Sequence, residues 1–150
     1  MQTGYWPPWP LRDTGRAMSK NLDLVRSIYA ALKRGDPKPS AWADTEIEFA
    51  FVDGPSPGTW IGVPAMIQAW LEFFAMFEGY YTEPYELREL DHERVLVFDH
   101  VRGRAKSSSV DLSQISPKGA DLWHVRDGKV VKLAIYFDGD RALADLGLAA

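Results

Sequence analysis

The spacing of apolar positions changes period once along the chain, from helical to alternating, with loops marked by Pro and Gly. Over residues 22–33, Leu22, Val25, Ile28, Tyr29 and Leu32 recur every three or four positions, which predicts a helix. Asn21 or Ser19 can cap its start, Lys33 and Arg34 suit its last turn, and Gly35 is the stop. Asp36-Pro37-Lys38-Pro39 is a break, followed by one short helical turn over residues 41–43. Residues 46–52 alternate, with Ile47, Phe49 and Phe51 on one face, and predict a strand. The loop signal Asp53-Gly54-Pro55-Ser56-Pro57-Gly58 follows. A second helix is predicted from Pro64 to about Glu78, ended by Gly79. It carries Met66, Ile67, Trp70, Leu71, Phe73, Phe74 and Phe77, enough apolar surface to predict a helix wedged deep inside.

Beyond Gly79 the period is two. Strands are predicted over 80–90, 94–106, 110–115 continuing at 120–126, and 129–137. Arg126-Asp127-Gly128-Lys129 reads as a tight hairpin, and residues 141–146 as a closing helix. This order describes an α+β domain whose helices cover one face of a strongly curved antiparallel sheet. No repeat or linker divides residues 19–150, so they read as one domain. Residues 1–18 form a leader rich in Pro and Trp, Tyr5-Trp6-Pro7-Pro8-Trp9-Pro10, expected to be extended or disordered. It lacks the features of a signal peptide, and Met18 would serve equally well as a start.

Composition narrows the chemistry. Seventeen Lys and Arg against 21 Asp and Glu leave the 150-residue chain at a net charge of −4. With cations scattered, nucleic acid is not an expected partner. The absence of cysteine excludes disulfides, thiolate metal sites and thiol nucleophiles. No stretch approaches the ~20 apolar residues of a membrane span, so no membrane partner is expected and a cytoplasmic address is the default.

Several motifs in this order resemble one superfamily. They are Tyr29-Ala30-Ala31-Leu32-Lys33-Arg34-Gly35-Asp36, Pro57-Gly58-Thr59-Trp60-Ile61-Gly62, Arg102-Gly103-Arg104, and Trp123 to Val131 followed by Tyr136-Phe137-Asp138. The chain resembles the SnoaL-like, nuclear-transport-factor-two-like superfamily, with ketosteroid isomerase, scytalone dehydratase and limonene epoxide hydrolase as relatives. The resemblance implies a cone-shaped α+β barrel, its curved sheet wrapped around a long helix. That fold hosts enzymes and non-catalytic binders alike, so function has to come from the site.

Buried carboxyls are the useful groups in such a cup, because desolvation raises their pKa toward neutrality. Asp121 shares a strand face with Trp123 and Val125, and by its distance from the Asp127-Gly128 turn it resembles the protonated Asp of ketosteroid isomerases. An exposed Asp, or one paired with Arg, is the alternative. Asp99 interrupts the apolar row Val95, Val97 and Val101, and either faces the cavity or pairs with Arg102 or Arg104. Asp53 resembles the general base of the same isomerases, although Asp-Gly is also a common turn pair. Where those isomerases have a Tyr in the first helix this chain has Ile28, with Tyr29 rotated by ~100°. Where limonene epoxide hydrolases have an Asp, it has Ile135. Tyr29, Trp60, Trp70, Tyr85, Trp123 and Phe137 are candidate ligand-binding residues, and Trp42 and Phe74 could also line a cavity. His92, His100 and His124 make a poor metal set, and no metal or other cofactor is expected.

The expected function is therefore cofactor-free acid/base chemistry by Asp121, helped by Asp99 or Asp53, on a mostly apolar small molecule. A small-ligand carrier or a protein-interaction module are the alternatives. An outward row with Leu96 and Phe98 on one strand, and Ala134 and Tyr136 on another, wants a second cover, which predicts a homodimer through the outer sheet face.

Overall fold

The computed structural model describes residues 12–13, 19–107, 111 and 118–148. Its elements run β1 (Arg12–Asp13), α1 (Lys20–Arg34), α2 (Pro39–Trp42), β2 (Ala43–Phe51), β3 (Gly58–Ile61), α3 (Val63–Phe74), β4 (Phe77–Glu89), β5 (Arg94–Ala105), β6 (Lys118–Arg126), β7 (Lys129–Tyr136) and α4 (Gly139–Leu146). The seven strands form one sheet in the order β1-β4-β5-β6-β7-β2-β3. Strands β4 to β7 are an antiparallel meander, while β2 joins β7 in parallel and β1 joins β4 in parallel.

Local chemistry sets the helix limits. Ser19 Oγ accepts from Leu22 N at 3.0 Å and starts α1, and Gly35 at φ 77° closes it. The α1 stripe of Leu22, Val25, Ile28 and Tyr29 is buried against the sheet's inner face. The hairpin between β6 and β7 puts Asp127 and Gly128 both at positive φ, as a two-residue turn of this twist requires.

Three features differ from the sequence expectation. Helix α3 ends at Phe74 rather than Glu78, because Phe77 pairs with Ala105 as the first residue of β4 while its ring lies 4.9 Å from that of Phe73. Gly79, at φ 63°, then serves an irregularity inside β4 instead of a helix stop. Nor is α3 enclosed on all sides: Met66, Ala69 and Phe73 are buried, but Leu71 and Phe74 face outward. The third difference is β3, absent from the reading above, which pairs with β2 through Phe49 and Trp60. The strand expected over 110–115 lies outside the described residues except for Asp111, which bridges Arg104. So does most of the leader, whose described part is the two-residue β1.

The core has two parts. Inside the cone, side chains of α1, α3 and the sheet form the larger cluster, including Ile47, Phe49, Val97 and Leu133. Outside, Leu96, Phe98, Ala134 and Tyr136 form a second cluster with Ala142 and Leu143 of α4. The apolar outer row that motivated the homodimer expectation thus already has a cover from its own chain. Asp138 caps α4 by accepting from Asp140 N and Arg141 N, and Tyr136 donates to Asp145 Oδ2 at 3.1 Å. No helix among the described residues is long and apolar enough to cross a membrane.

If α4 is that cover, trimming it must cost stability. Leu143→Ala is expected to lose about 2–3 kcal/mol in chemical denaturation. The exposed Leu71→Ala should stay within about 0.5 kcal/mol of the parent. Equal effects would show that α4 does not hold the outer face.

Candidate active site

Strand alternation brings two carboxyls to the inner face of adjacent strands. On β5, Asp99 follows Val95 and Val97 inward, and on β6, Asp121 precedes Trp123 and Val125. In the register Asp99 faces Gly119 and Asp121 faces Val97, so the two aspartates are diagonal neighbours. Gly119 makes their approach possible. A Cβ there would sit 2.9 Å from Asp99 Oδ1 and 2.9 Å from the Tyr136 carbonyl oxygen.

A phenol and an indole complete the group. Tyr29 reaches from α1 and donates its hydroxyl to Asp121 Oδ2 at 2.5 Å. The Tyr29 hydroxyl oxygen in turn accepts from Trp123 Nε1 at 3.0 Å, with the Tyr29 and Trp123 rings edge to face at 5.6 Å. Trp42 packs on Trp123, and both Trp42 and Phe49 pack on Trp70, which walls this end with aromatic rings. Asp99 is 1% exposed and Asp121 8%, so Asp121 is the more open of the pair.

Burial without a cation sets the protonation state. Desolvation pushes Asp99 well above the usual carboxylate range, and the neighbouring Asp121 charge raises it further. Burial also lifts Asp121, but the hydrogen bonds from Tyr29 and Asp99 oppose that rise and leave it at about 6. Asp99 Oδ2 is buried with no donor pointing at it, which a neutral carboxyl tolerates and a carboxylate does not. Burial and mutual repulsion therefore favour one proton shared by the pair, with both carboxyls raised and Asp99 the more enclosed of the two. Tyr29 is pushed well above its ordinary pKa, first by burial and then by the two aspartates, and stays a donor. The half-buried Tyr80 on β4 is raised in the same way, so its phenol also feels the pair.

The other sequence candidates lie elsewhere. Asp53 Oδ1 accepts from Phe137 N at 2.6 Å and so pins the β2–β3 loop to the end of β7; the structure gives it a turn role beside its place in the resemblance. Phe137 is buried in the inner cluster, close over Gly54 and against Phe73. Trp60 is half-buried on β3, packing on Phe49 and Phe51 rather than touching the aspartates. Phe74 is on the outside of α3. Tyr85 corrects the expectation most clearly. It stacks on His100 at 4.6 Å and packs on Phe98, on the outer face of the sheet. The irregularity between Pro84 and Glu86 makes Tyr85 the extra residue of a bulge and turns its ring away from the cup. His124 is also outward, 3.2 Å from Glu93 Oε1. Arg102 pairs with Glu83 rather than with Asp99.

Tyr29, a candidate ligand contact by sequence, donates its hydroxyl to Asp121 despite its offset on the helix, and Gly119 is a contributor the motifs do not name. Gly119 had a readable signal, a glycine two positions before an inward Asp on a strand.

Comparison with solved structures agrees with this fold. An NTF2-like protein of unknown function from Burkholderia pseudomallei is 26% identical, with a TM-score of 0.68 over 85% of this chain and 97% of its own. TerC, co-crystallised with polyporic acid, is 21% identical, with a TM-score of 0.67 over 85% and 98%. A protein from Sinorhizobium meliloti assigned provisionally as a polyketide cyclase is 21% identical, with a TM-score of 0.58 over 79% and 99%. No protein-family model and no curated protein sequence matches the chain. The chain carries the α+β cone seen in NTF2-like proteins.

Two measurements test the shared proton. Asp99→Asn keeps a neutral donor beside Asp121 and should fold at neutral pH within about 1 kcal/mol of the parent, whereas Asp99→Ala should lose more. Equal losses would mean that the neutral carboxyl is not what Asp121 needs. Folding raises Asp121 from 3.8 to about 6, so the folded state holds a proton that the unfolded chain has released. That contribution is complete below about pH 4 and is lost as pH rises toward 6. Urea titrations of Asp121→Asn should therefore lack a fall in stability that the parent shows across this window.

Proposed function

We propose that this protein binds a small, mostly apolar molecule beside Asp99 and Asp121 and performs cofactor-free acid/base chemistry on it. The observation that carries this reading is the pair itself, two buried carboxyls on neighbouring strands beside an aromatic shell, with Tyr29 donating to Asp121 and Asp99 Oδ2 left without a partner. An ionised carboxyl with a pKa near neutrality is a competent general base. A neutral carboxyl beside it can donate to an oxygen on which negative charge develops. Both functions are present before a ligand arrives, so the ligand has only to place an acidic C–H near Asp121 and an oxygen near Asp99.

Isomerisation, dehydration, cyclisation and epoxide opening all use a positioned acid and base, and the site supports this class rather than one member of it. The same-fold TerC was co-crystallised with polyporic acid, and a second neighbour is assigned provisionally as a polyketide cyclase, which supports a small organic molecule as ligand. The aromatic walls contributed by Trp42, Trp70 and Trp123 favour an apolar body on that molecule.

A generic probe tests the chemistry before the substrate is known. Tetralone in deuterated buffer should exchange its α-protons faster with the protein than without it. The rate should rise with pH through about 6 as Asp121 ionises, because the base must be unprotonated. Asp121→Asn should lower it by about 10²–10⁴-fold while tetralone still binds. Binding without exchange would make the protein a carrier, and undiminished exchange in the variant would place the base elsewhere.

A further inference from the structure

The outer face of the sheet holds a cavity of about 180 Å³ between β4 and the N-terminal half of α4. Glu86 and Arg88 reach it from β4, Phe98 from β5 and Lys118 from β6, while α4 contributes Asp140 and Leu143. The register agrees with this placement, since Glu86 pairs with Phe98, and Lys118 pairs with His100, whose ring stacks on outward-facing Tyr85. A space below the ~300–1,000 Å³ of drug-sized sites limits an occupant to a small molecule.

The charges around this cavity are incompletely met. Glu86 is 5% exposed, and Arg88 donates to it through Nε at 3.2 Å and Nη2 at 2.9 Å. Both bonds fall on Oε2. No described residue donates to Oε1, so a buried carboxylate on the cavity wall keeps one oxygen unmet. Arg88 is held in this geometry by Phe98, whose ring centroid lies 5.3 Å below the guanidinium. With Arg88 balancing Glu86, the Lys118 ammonium and the Asp140 carboxylate remain, and neither has an ion pair among the described residues. The N-terminus of α4 does not compete for an anion, because Asp138 already accepts from Asp140 N and Arg141 N.

Such a wall selects a ligand carrying charges of both signs. An anion alone would meet Lys118 and leave Glu86 Oε1 without a donor, and a cation alone would do the reverse. A quaternary ammonium has no N–H to give. We propose that this cavity binds a free α-amino acid with an apolar side chain. The ammonium donates to Glu86 Oε1, and the Asp140 charge adds to its attraction. The carboxylate accepts from Lys118 Nζ, and the side chain lies against Phe98 and Leu143. The site is on the face of the sheet opposite Asp99 and Asp121, so it is independent of their chemistry.

The test is a titration of the isotope-labelled full chain with L-leucine, followed by amide NMR. Saturable shifts should centre on residues 85–88, 118–119 and 139–143. Leucinamide, which lacks the carboxylate, and 4-methylpentanoate, which lacks the ammonium, should each bind about tenfold more weakly or worse. Lys118→Met, at an exposed position, should weaken leucine by about tenfold and leave leucinamide unchanged, while the rest of the spectrum reports an intact fold. Equal binding of the three compounds would mean that only the apolar wall is recognised, and would overturn the proposal. Shifts centred on the inner cup around Tyr29 and Trp123, or no shifts, would overturn it too.

Discussion

Two carboxyls buried on neighbouring strands, with no cation between them among the described residues, favour sharing a proton, and the inner face of this cone is arranged around that constraint. Asp99 is almost completely enclosed and no donor points at its Oδ2, so it is stable there only as a neutral acid. Asp121 is the better placed of the two to hold charge, because it accepts from the Tyr29 hydroxyl at 2.5 Å and bonds to the Asp99 carboxyl. The Tyr29 hydroxyl is itself held by the Trp123 indole. The chain order of this network, from α1 to β5 to β6, ties the first helix to the middle of the sheet. The same contacts that close the cone therefore set the protonation of the site.

Alternation made the aspartates legible. A polar residue in the row Val95-Val97-Val101, and another beside Trp123 and Val125, can be found by counting in twos, and the sheet is regular where they sit. The same counting failed for Tyr85. The bulge after Pro84 adds a residue to β4, and from that point the faces exchange, so Tyr85 lies outside while Leu87 remains inside. A bulge of this kind leaves no periodic signal. The helix limit at Phe74 was hidden for a related reason: Phe77 suits either a helix stripe or a strand face, and only its pairing with Ala105 decides. Tyr29 shows the limit of transferring a site by position. One residue of offset on a helix is a large rotation, but a long side chain between a helix and a sheet can span it.

The outer face makes the complementary point about assembly. A sheet with apolar rows on both sides needs two covers, and the sequence expectation supplied the second from another subunit. The short helix α4 supplies a cover from the same chain, with Ala142 and Leu143 clustered with Leu96, Phe98 and Tyr136. An eight-residue helix is stable there because it is capped at both ends and buries an apolar face, not because of its intrinsic propensity.

The shared proton can be observed directly by carboxyl-carbon NMR on aspartate-labelled protein. One signal should remain in its protonated position at neutral pH and be absent from Asp99→Asn. A second should titrate at about 6 and be absent from Asp121→Asn. If every aspartate instead ionises in the ordinary carboxylate range near 4, no proton is shared and this account of the site is wrong.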